Sequence, residues 1–590
     1  MLDPRIYRTG LFAVALAVIV FAFSLESQPS GLSTTLAPDA FNPQNAQTAS
    51  SSLARSFPDR RAGSAADARM ADSVAGSLRR LGYSVNRHSF SAATSSGPKT
   101  LVNVTATLAG QSNDTILIVS HRDALHSPGV ADLSGTAVML ELARVLGGET
   151  AYHTLVLASV SGSTGSVGAA RLARSLPGPV DAVIVLGDLA AAHAQGPLIV
   201  PWSRGHTLAS PGLRNTLAAS LSAQAGLKQS PPGLGGQLMH LAFPMTLTEQ
   251  APFNDAGAPA VLLTLSGERA PAGTEATNPV MLGTLGRAVL QSVNALNSAS
   301  DVARPSGYLV YSGKLIPGWS IRLLVLMLIA PVVITTVDGL ARVRRRGHRV
   351  LDWVAWVLSW ALAFVLGGLV VLGAHLVGAL SGAPGGPVPA GVAPPQTAGI
   401  VTLVLALLVI LAGLLLLAPW LARLLGVALQ RPPTEGGAPA AGIAVSMILS
   451  VVGVAMWLTN PFAAVLIVPA LHVWMWLGCV QAPIPRVVKL AGVVLGAVPP
   501  ALAVLYYALT LKLSFIGVVW NGVLMIAGGQ IGPATALLWS LVLGCFAGML
   551  MLAVRRPNRE HEPRAAITVR GPASYAGPGS LGGTQSALRR

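Results

Sequence analysis

The groups in this chain that could do chemistry are imidazoles and carboxylates in its first half, one glycine-flanked serine, and a few polar side chains in a very apolar second half. His121 closes the apolar run Thr115-Ile116-Leu117-Ile118-Val119 and precedes Asp123 by two residues. It reads either as a strand-end histidine hydrogen-bonded to Asp123 or as a ligand of a single metal ion. Asp188, after Val183-Ile184-Val185-Leu186, reads as a loop carboxylate or a further ligand. His126, His153, His193, His206 and His240 could rebuild a metal site, but no pair among them has the i,i+4 spacing that puts two imidazoles on one helix face. Cys479 and Cys545 both lie in apolar segments, so the first half has neither a disulfide framework nor thiolate zinc ligands. Ser163, in Gly162-Ser163-Thr164-Gly165, lacks the Gly-x-Ser-x-Gly elbow and a placed base, which argues against a nucleophile. Glu141 reads as an exposed helix residue, and the sequon Asn103-Val104-Thr105 falls in an expected strand.

The elements that must position these groups follow from the pattern. Short aliphatic runs at 115–119 and 155–157 suit buried strands, and stretches at 67–81, 136–146 and 279–296 carry helical periodicity. Their alternation predicts an α/β domain over 52–300, a mixed sheet with helices on both faces. Residues 26–51, rich in Ser, Pro, Gln and Thr, read as a linker, and 301–316 as a second one.

The chain has 590 residues, of which 52% are hydrophobic and 11% charged. Soluble proteins carry about 25% charged residues, so a wholly soluble, a disordered or a fibrous chain is excluded. Residues 1–25 read as an uncleaved transmembrane anchor in preference to a cleaved signal peptide. Spans are expected at 317–337, 351–374, 399–420, 440–459, 462–481, 488–511 and 531–554, an all-α bundle of seven. The run 514–527 is expected as a re-entrant or interfacial helix. The formal charge is +16, but the basic runs at 342–349 and Arg555-Arg556 abut apolar stretches. That placement follows the positive-inside rule and argues for a lipid bilayer, not nucleic acid, as the basic partner. It predicts a multi-pass plasma-membrane protein with both termini cytoplasmic, a basic tail at 555–590, and the 52–300 domain outside. Arg431 then falls inside, and the uncharged loop 381–397 outside. Within the bundle His472, His375, Asn521 and Lys512 are the polar candidates. His472 is the one nearest a span centre, and intramembrane ionisable groups are functional hypotheses by default.

Several motifs then resemble one family. Asn103 to Gly110 resembles a strand "NVxAxLxG", Val119-Ser120-His121-Arg122-Asp123 a following "xHxDS", and Gly129 to Glu141 the helix start "GxxDNxSGxAxxLE". Phe57-Pro58 with Arg61-Ala62-Gly63-Ser64, Ala251-Pro252-Phe253 with Ala256 to Val261, and Leu285 to Val289 fit in order. This pattern is similar to metallopeptidase family twenty-eight, the co-catalytic di-zinc aminopeptidases and their relatives. The resemblance implies a zinc-exopeptidase fold, with His121 as a zinc ligand and Asp123 orienting it. The bridging Asp falls on Ala131 without a gap and on Asp132 with a one-residue deletion. Asp188 takes the next carboxylate place. The family's glutamate pair, base and ligand, aligns with Gly162 and Ser163, and its last histidine with Gln250. A residual metal site would therefore use His121, Asp132 and Asp188, while Ala131, Gly162, Ser163 and Gln250 depart from the pattern. Neither Gly nor Ser is a carboxylate base, and losing general acid–base help costs about 10²–10⁴-fold.

The expected function is accordingly a membrane-held, peptidase-like domain that binds a protein or peptide partner at the cell envelope without hydrolysing it, with no cofactor. The layout resembles the GPI-transamidase attachment subunit and the ER metallopeptidases. The alternative is an active membrane-bound zinc exopeptidase of aminopeptidase type, which would need zinc. A third reading is a transporter or lipid-handling bundle with the outer domain as its lid.

Overall fold

The computed structural model describes residues 4–554 apart from 95, 126, 128, 149–150, 177, 196–197, 299–301, 381–396, 425–437 and 481–483. His126, Arg431, most of the loop 381–397 and the tail 555–590 lie outside the described residues.

Among the described residues ten strands run in chain order: β1 (Glu26–Ser27), β2 (Ser84–Thr94), β3 (Gly97–Leu108), β4 (Ser112–His121), β5 (His153–Val160), β6 (Val180–Leu186), β7 (Ile199–Val200), β8 (Ala260–Leu263), β9 (Tyr308–Tyr311) and β10 (Lys314–Pro317). Seven form one mixed sheet in the order β2-β3-β5-β4-β6-β8-β7. β4 is parallel to both β5 and β6, and β6 is parallel to β8. The outer strands β2, β3 and β7 are antiparallel to their neighbours. β4 reads as an unbroken aliphatic run because both its faces are covered, and Ile116 to Val119 are fully buried. In an open sheet the crevice at the carboxyl ends of parallel strands is where ligands bind. Four such ends converge here: His121 closes β4, 161–163 follow β5, Asp188 follows β6, and 264–268 follow β8.

One face of the sheet packs against Ala65–Arg80, Ser134–Leu146, Pro211–Ala225 and Pro279–Asn297. Their starts are set locally: Ser64 Oγ accepts from the Asp67 amide, and Asn278 caps the helix begun by Pro279. Behind His121 the chain is clamped by Arg122. Its buried guanidinium pairs with Asp67 at 2.9 Å and donates to the Val102 and Ser159 carbonyls, tying a helix to β3 and β5.

The other face carries the shorter helices Val167–Ala173, Leu234–Ala242 and Ala251–Asp255, whose Leu172, Leu241 and Phe253 are buried against it. Its apolar cluster, which includes Leu117, Val119, Val183 and Val185, continues through Leu241 and Phe462 to Trp356 and Trp474 of the apolar bundle. Eight helices among the described residues are long and apolar enough to cross a bilayer: Arg5–Phe23, Gly318–Arg345, Val350–Leu376, Thr397–Leu421, Ala440–Thr459, Pro461–Cys479, Arg486–Thr510 and Pro533–Val554. Phe515–Ala527 is a shorter apolar helix.

Three expectations need correction. The helix Pro43–Ser56 begins inside the expected first linker, capped by Asn42, and Phe41 is buried against Gly286. Apolar residues spaced on one helical face outweigh the polar composition there. The second linker folds as the hairpin β9–β10, and β1 pairs with it, making a three-stranded sheet from both linkers. His472 acts as a tie: Nε2 faces the Leu328 carbonyl at 2.9 Å, so it carries the proton, and Nδ1 accepts from Tyr7 Oη at 2.6 Å. Three helices are joined by one imidazole, which leaves neither nitrogen for a substrate.

Arg122→Ala would leave Asp67 buried without its cation, a loss of about 3–5 kcal/mol. A matching fall in the thermal unfolding midpoint of the detergent-purified chain is expected. Arg122→Lys is expected to recover little of it, since an ammonium cannot reproduce the planar fork.

Candidate functional site

The four strand ends enclose a cleft of about 310 Å³ lined by His121, Asp132, Asp188, Glu249, Glu268 and Arg269, among others. His121 lies at its centre. Its Nε2 is 3.1 Å from Asp132 Oδ1 and its Nδ1 is 2.9 Å from Glu249 Oε2. Burial disfavours charge on this imidazole, but the Glu249 and Asp132 carboxylates outweigh burial and hold it protonated well above the usual histidine range. Each carboxylate at this distance supplies on the order of 4 kcal/mol even at an effective dielectric of 20.

Asp132 occupies the cleft because Ser134 shapes the turn before the helix Ser134–Leu146. Ser134 Oγ donates to the Ala131 carbonyl at 2.5 Å and accepts from the Leu189 amide at 2.7 Å. Ala131 is buried away from the cleft, so Asp132 faces His121. Gly135, at the same turn, has no room for a Cβ against the Leu186 and Gly187 carbonyls.

Asp123 does not orient His121. Its oxygens accept from the Gly162 and Ser163 amides and from Ser163 Oγ at 2.8 Å. Burial pushes its carboxyl up to about 6, with the His121 charge opposing the rise. Gly162 sits at φ +87°, and a Cβ there would meet Leu101 at 2.9 Å. A glutamate at 162 therefore does not fit this backbone, and Ser163 is engaged by Asp123. Asp188 accepts from Ser266 Oγ at 2.5 Å and from the Ala190 and Ala191 amides, both at 2.9 Å. Burial nevertheless raises its pKa.

Gln250 does not line the cleft. Its side chain is buried and donates to the Trp202 carbonyl at 2.9 Å, so the residue type at 250 does not decide what His121 meets. Glu141, expected on the surface, is buried: it accepts from the Asn42 amide and Asn45 Nδ2 and pairs with Arg144. It anchors the Pro43–Ser56 helix. Among the other histidines, His153 meets Asp181 and His193 meets Glu275.

Two acids in the cleft were not picked out from sequence. Glu249 directly precedes Gln250, the residue that aligns with the family's last histidine. Glu268 follows β8 by five residues, at the same sheet edge as His121 and Asp188, and that shared edge was its only signal. Glu268 accepts from Thr246 Oγ1 at 2.9 Å, and burial pushes it up to about 7. His240, 3.6 Å away and stacked on Trp202 at a 4.0 Å ring separation, is driven down to about 3 by burial. That contact therefore joins an acid to a neutral imidazole.

Residues 103–278 match the family described as Peptidase family M28. Over those residues the chain is similar to that family. Solved structures similar to it include a glutaminyl cyclase from Porphyromonas gingivalis (17% identity, TM-score 0.34, 43% of this chain and 99% of that one). A zinc aminopeptidase from Bacillus subtilis gives 13% identity and a TM-score of 0.36 over 45% of this chain and 98% of that one. An Acidobacteriales bacterium glutaminyl cyclase gives 15% and 0.37, over 46% and 99%. Among curated proteins none matches.

A di-zinc centre needs a bridging carboxylate, several free terminal ligands and a separate base. The α/β domain brings His121, Asp132 and Asp188 into one cleft, but both imidazole nitrogens face carboxylates and Asp188 accepts from Ser266 and the Ala190 and Ala191 amides. Among the described residues no three His, Cys, Asp or Glu side chains form a group able to hold a metal ion. The residues as arranged do not fit the zinc pair.

Glu268 keeps its proton in the folded state up to about pH 7, whereas an unfolded glutamate ionises near its ordinary 4.5. Stability is thus drained as pH rises through that window. Glu268→Gln is expected to remove this loss, gaining on the order of 3 kcal/mol over the parent at pH 8 and nothing at pH 4. Thermal unfolding at the two pH values checks it.

Proposed function

We propose that the α/β domain is a non-hydrolytic, extracytoplasmic binding domain held at the membrane by the apolar helices, and that its cleft grips a polypeptide segment or a partner protein. The observation that carries this reading is the position of His121, with one carboxylate on each ring nitrogen. An imidazolium so engaged has no lone pair to give a metal. The residues that would act as base are absent as well, since the loop after β5 offers a left-handed Gly162 and a Ser163 bound to Asp123. Without a polarising ion and a base, water attack on an amide has no assistance. What remains is a polar cleft on a rigid sheet edge, with Arg269 and Thr248 at its wall, suited to hydrogen-bonding an extended chain. The basic runs beside the apolar helices support a cytoplasmic placement of both termini.

One observation favours the exopeptidase alternative: Asp132, Asp188 and Glu268 share the cleft with His121. The readings separate by assay. The full chain in detergent, supplied with zinc, is expected to release no amine from a panel of aminoacyl-aminomethylcoumarin substrates above the background of its His121→Ala variant. Turnover that disappears in His121→Ala would overturn the non-hydrolytic reading.

A further inference from the structure

A second cavity, of about 460 Å³, lies where the α/β domain meets the bundle. Its walls come from Pro461–Cys479, Arg486–Thr510, Phe515–Ala527 and Pro533–Val554, and its roof from Phe243 and Met245 of the α/β domain. The lining is almost wholly apolar. Tyr507 spends its hydroxyl on the Phe243 carbonyl at 2.7 Å, pinning the roof. Asn521, 5% exposed, is the polar exception; its amide nitrogen meets the thioether sulfurs of Met245 at 3.4 Å and Met525 at 3.9 Å. Sulfur is a weak acceptor, so this amide retains donor capacity at the cavity wall.

Water does not settle in an apolar void of this kind, because it would find too few polar partners. Protein side chains do not fill it either. What the surroundings supply at this depth is hydrocarbon, and the dimensions agree. Along the helix Arg486–Thr510 the lining runs from Gly496 to Ala508, about 18 Å at 1.5 Å per residue. One leaflet of a bilayer's hydrocarbon core is about 15 Å deep. The paired prolines Pro499 and Pro500 lie within this stretch; proline takes a backbone donor out of a helix and bends it, which opens the wall where the cavity sits. The volume also lies in the range of about 300–1,000 Å³ that ligand pockets occupy.

The geometry points to a binding site for one hydrocarbon chain of a membrane amphiphile, inserted between the helices Arg486–Thr510 and Pro533–Val554 beneath the 243–245 roof. The roof belongs to a strap whose next residues, Leu247, Thr248 and Glu249, line the cleft around His121. A chain in the cavity and a group in the cleft therefore touch opposite ends of the same seven residues, 243–249. This inference does not depend on whether the cleft hydrolyses anything.

Gly522 supplies the decisive variant, because a Cβ there meets nothing within 4 Å although the residue lines the cavity. Leucine at this position adds bulk into the void and favours the helix. The full chain would be reconstituted in nanodiscs of phosphatidylethanolamine and phosphatidylglycerol carrying a phosphatidylethanolamine with a mid-chain diazirine. After illumination, adducts are mapped by peptide mass spectrometry. Met245 is 3% exposed and beyond the reach of bulk lipid, whereas Leu405 and Leu408 on Thr397–Leu421 are exposed controls. Adducts are expected on Met245 as well as on the controls. In Gly522→Leu the Met245 signal is expected to fall about tenfold or more, the loss for excluding about two methylenes from an apolar site, with the controls unchanged. Ala501→Phe, from the wall formed by Arg486–Thr510, is expected to do the same. No adduct on Met245, or one that both variants leave intact, would overturn the proposal.

Discussion

The arrangement of the cleft depends on one partly buried cation. His121 ends the central strand with an acid on each nitrogen, Asp132 from the turn before a helix and Glu249 from the strap that follows Phe243. Two buried carboxylates this close to each other are costly without a charge between them, and the imidazolium provides it. The same contact fixes three segments distant in sequence: the end of β4, the 131–134 turn and the 243–249 strap. A zinc hydrolase needs its histidine neutral and its carboxylates free. Here His121, Asp132 and Glu249 engage one another.

Much of this was legible in the sequence, for identifiable reasons. The aliphatic runs of β4 and β6, the Asn278-Pro279 helix start and the glycine-marked loop at 162–165 are local signals, and each element lies where its pattern puts it. The eight long apolar helices follow from composition alone. What sequence could not supply was side-chain direction. Ala131 and Asp132 compete for one place, and only the Ser134 turn decides between them. Gln250 looked like a lost ligand, yet it turns toward Trp202, and its neighbour Glu249 is the residue that enters. Glu141 looked solvated because it carries charge on a helix, but the preceding chain folds over it, and that packing is non-local. The linkers misled for the same reason: polar composition described the segments 26–51 and 301–316, whereas pairing between them is a long-range fact.

The α/β domain and the apolar bundle share one core. Val119 and Val185 on the inner sheet face belong to the same apolar cluster as Trp474 and Cys545, and Asn460 Nδ2 donates to the Leu241 carbonyl at 2.8 Å across the junction. Tyr507 of the bundle donates to the Phe243 carbonyl at 2.7 Å, and Glu249, six residues further along the strap, meets His121. The seven-stranded sheet supplies the platform, and the strap 243–249 joins the cleft to the apolar helices.

Metal affinity tests the central claim most directly. The full-length protein in detergent, dialysed against buffered free zinc in the micromolar range and read by elemental analysis, is predicted to retain no specific zinc, and the His121→Ala variant is predicted to give the same content as the parent. Two zinc ions per chain, lost on substituting His121, would contradict the account.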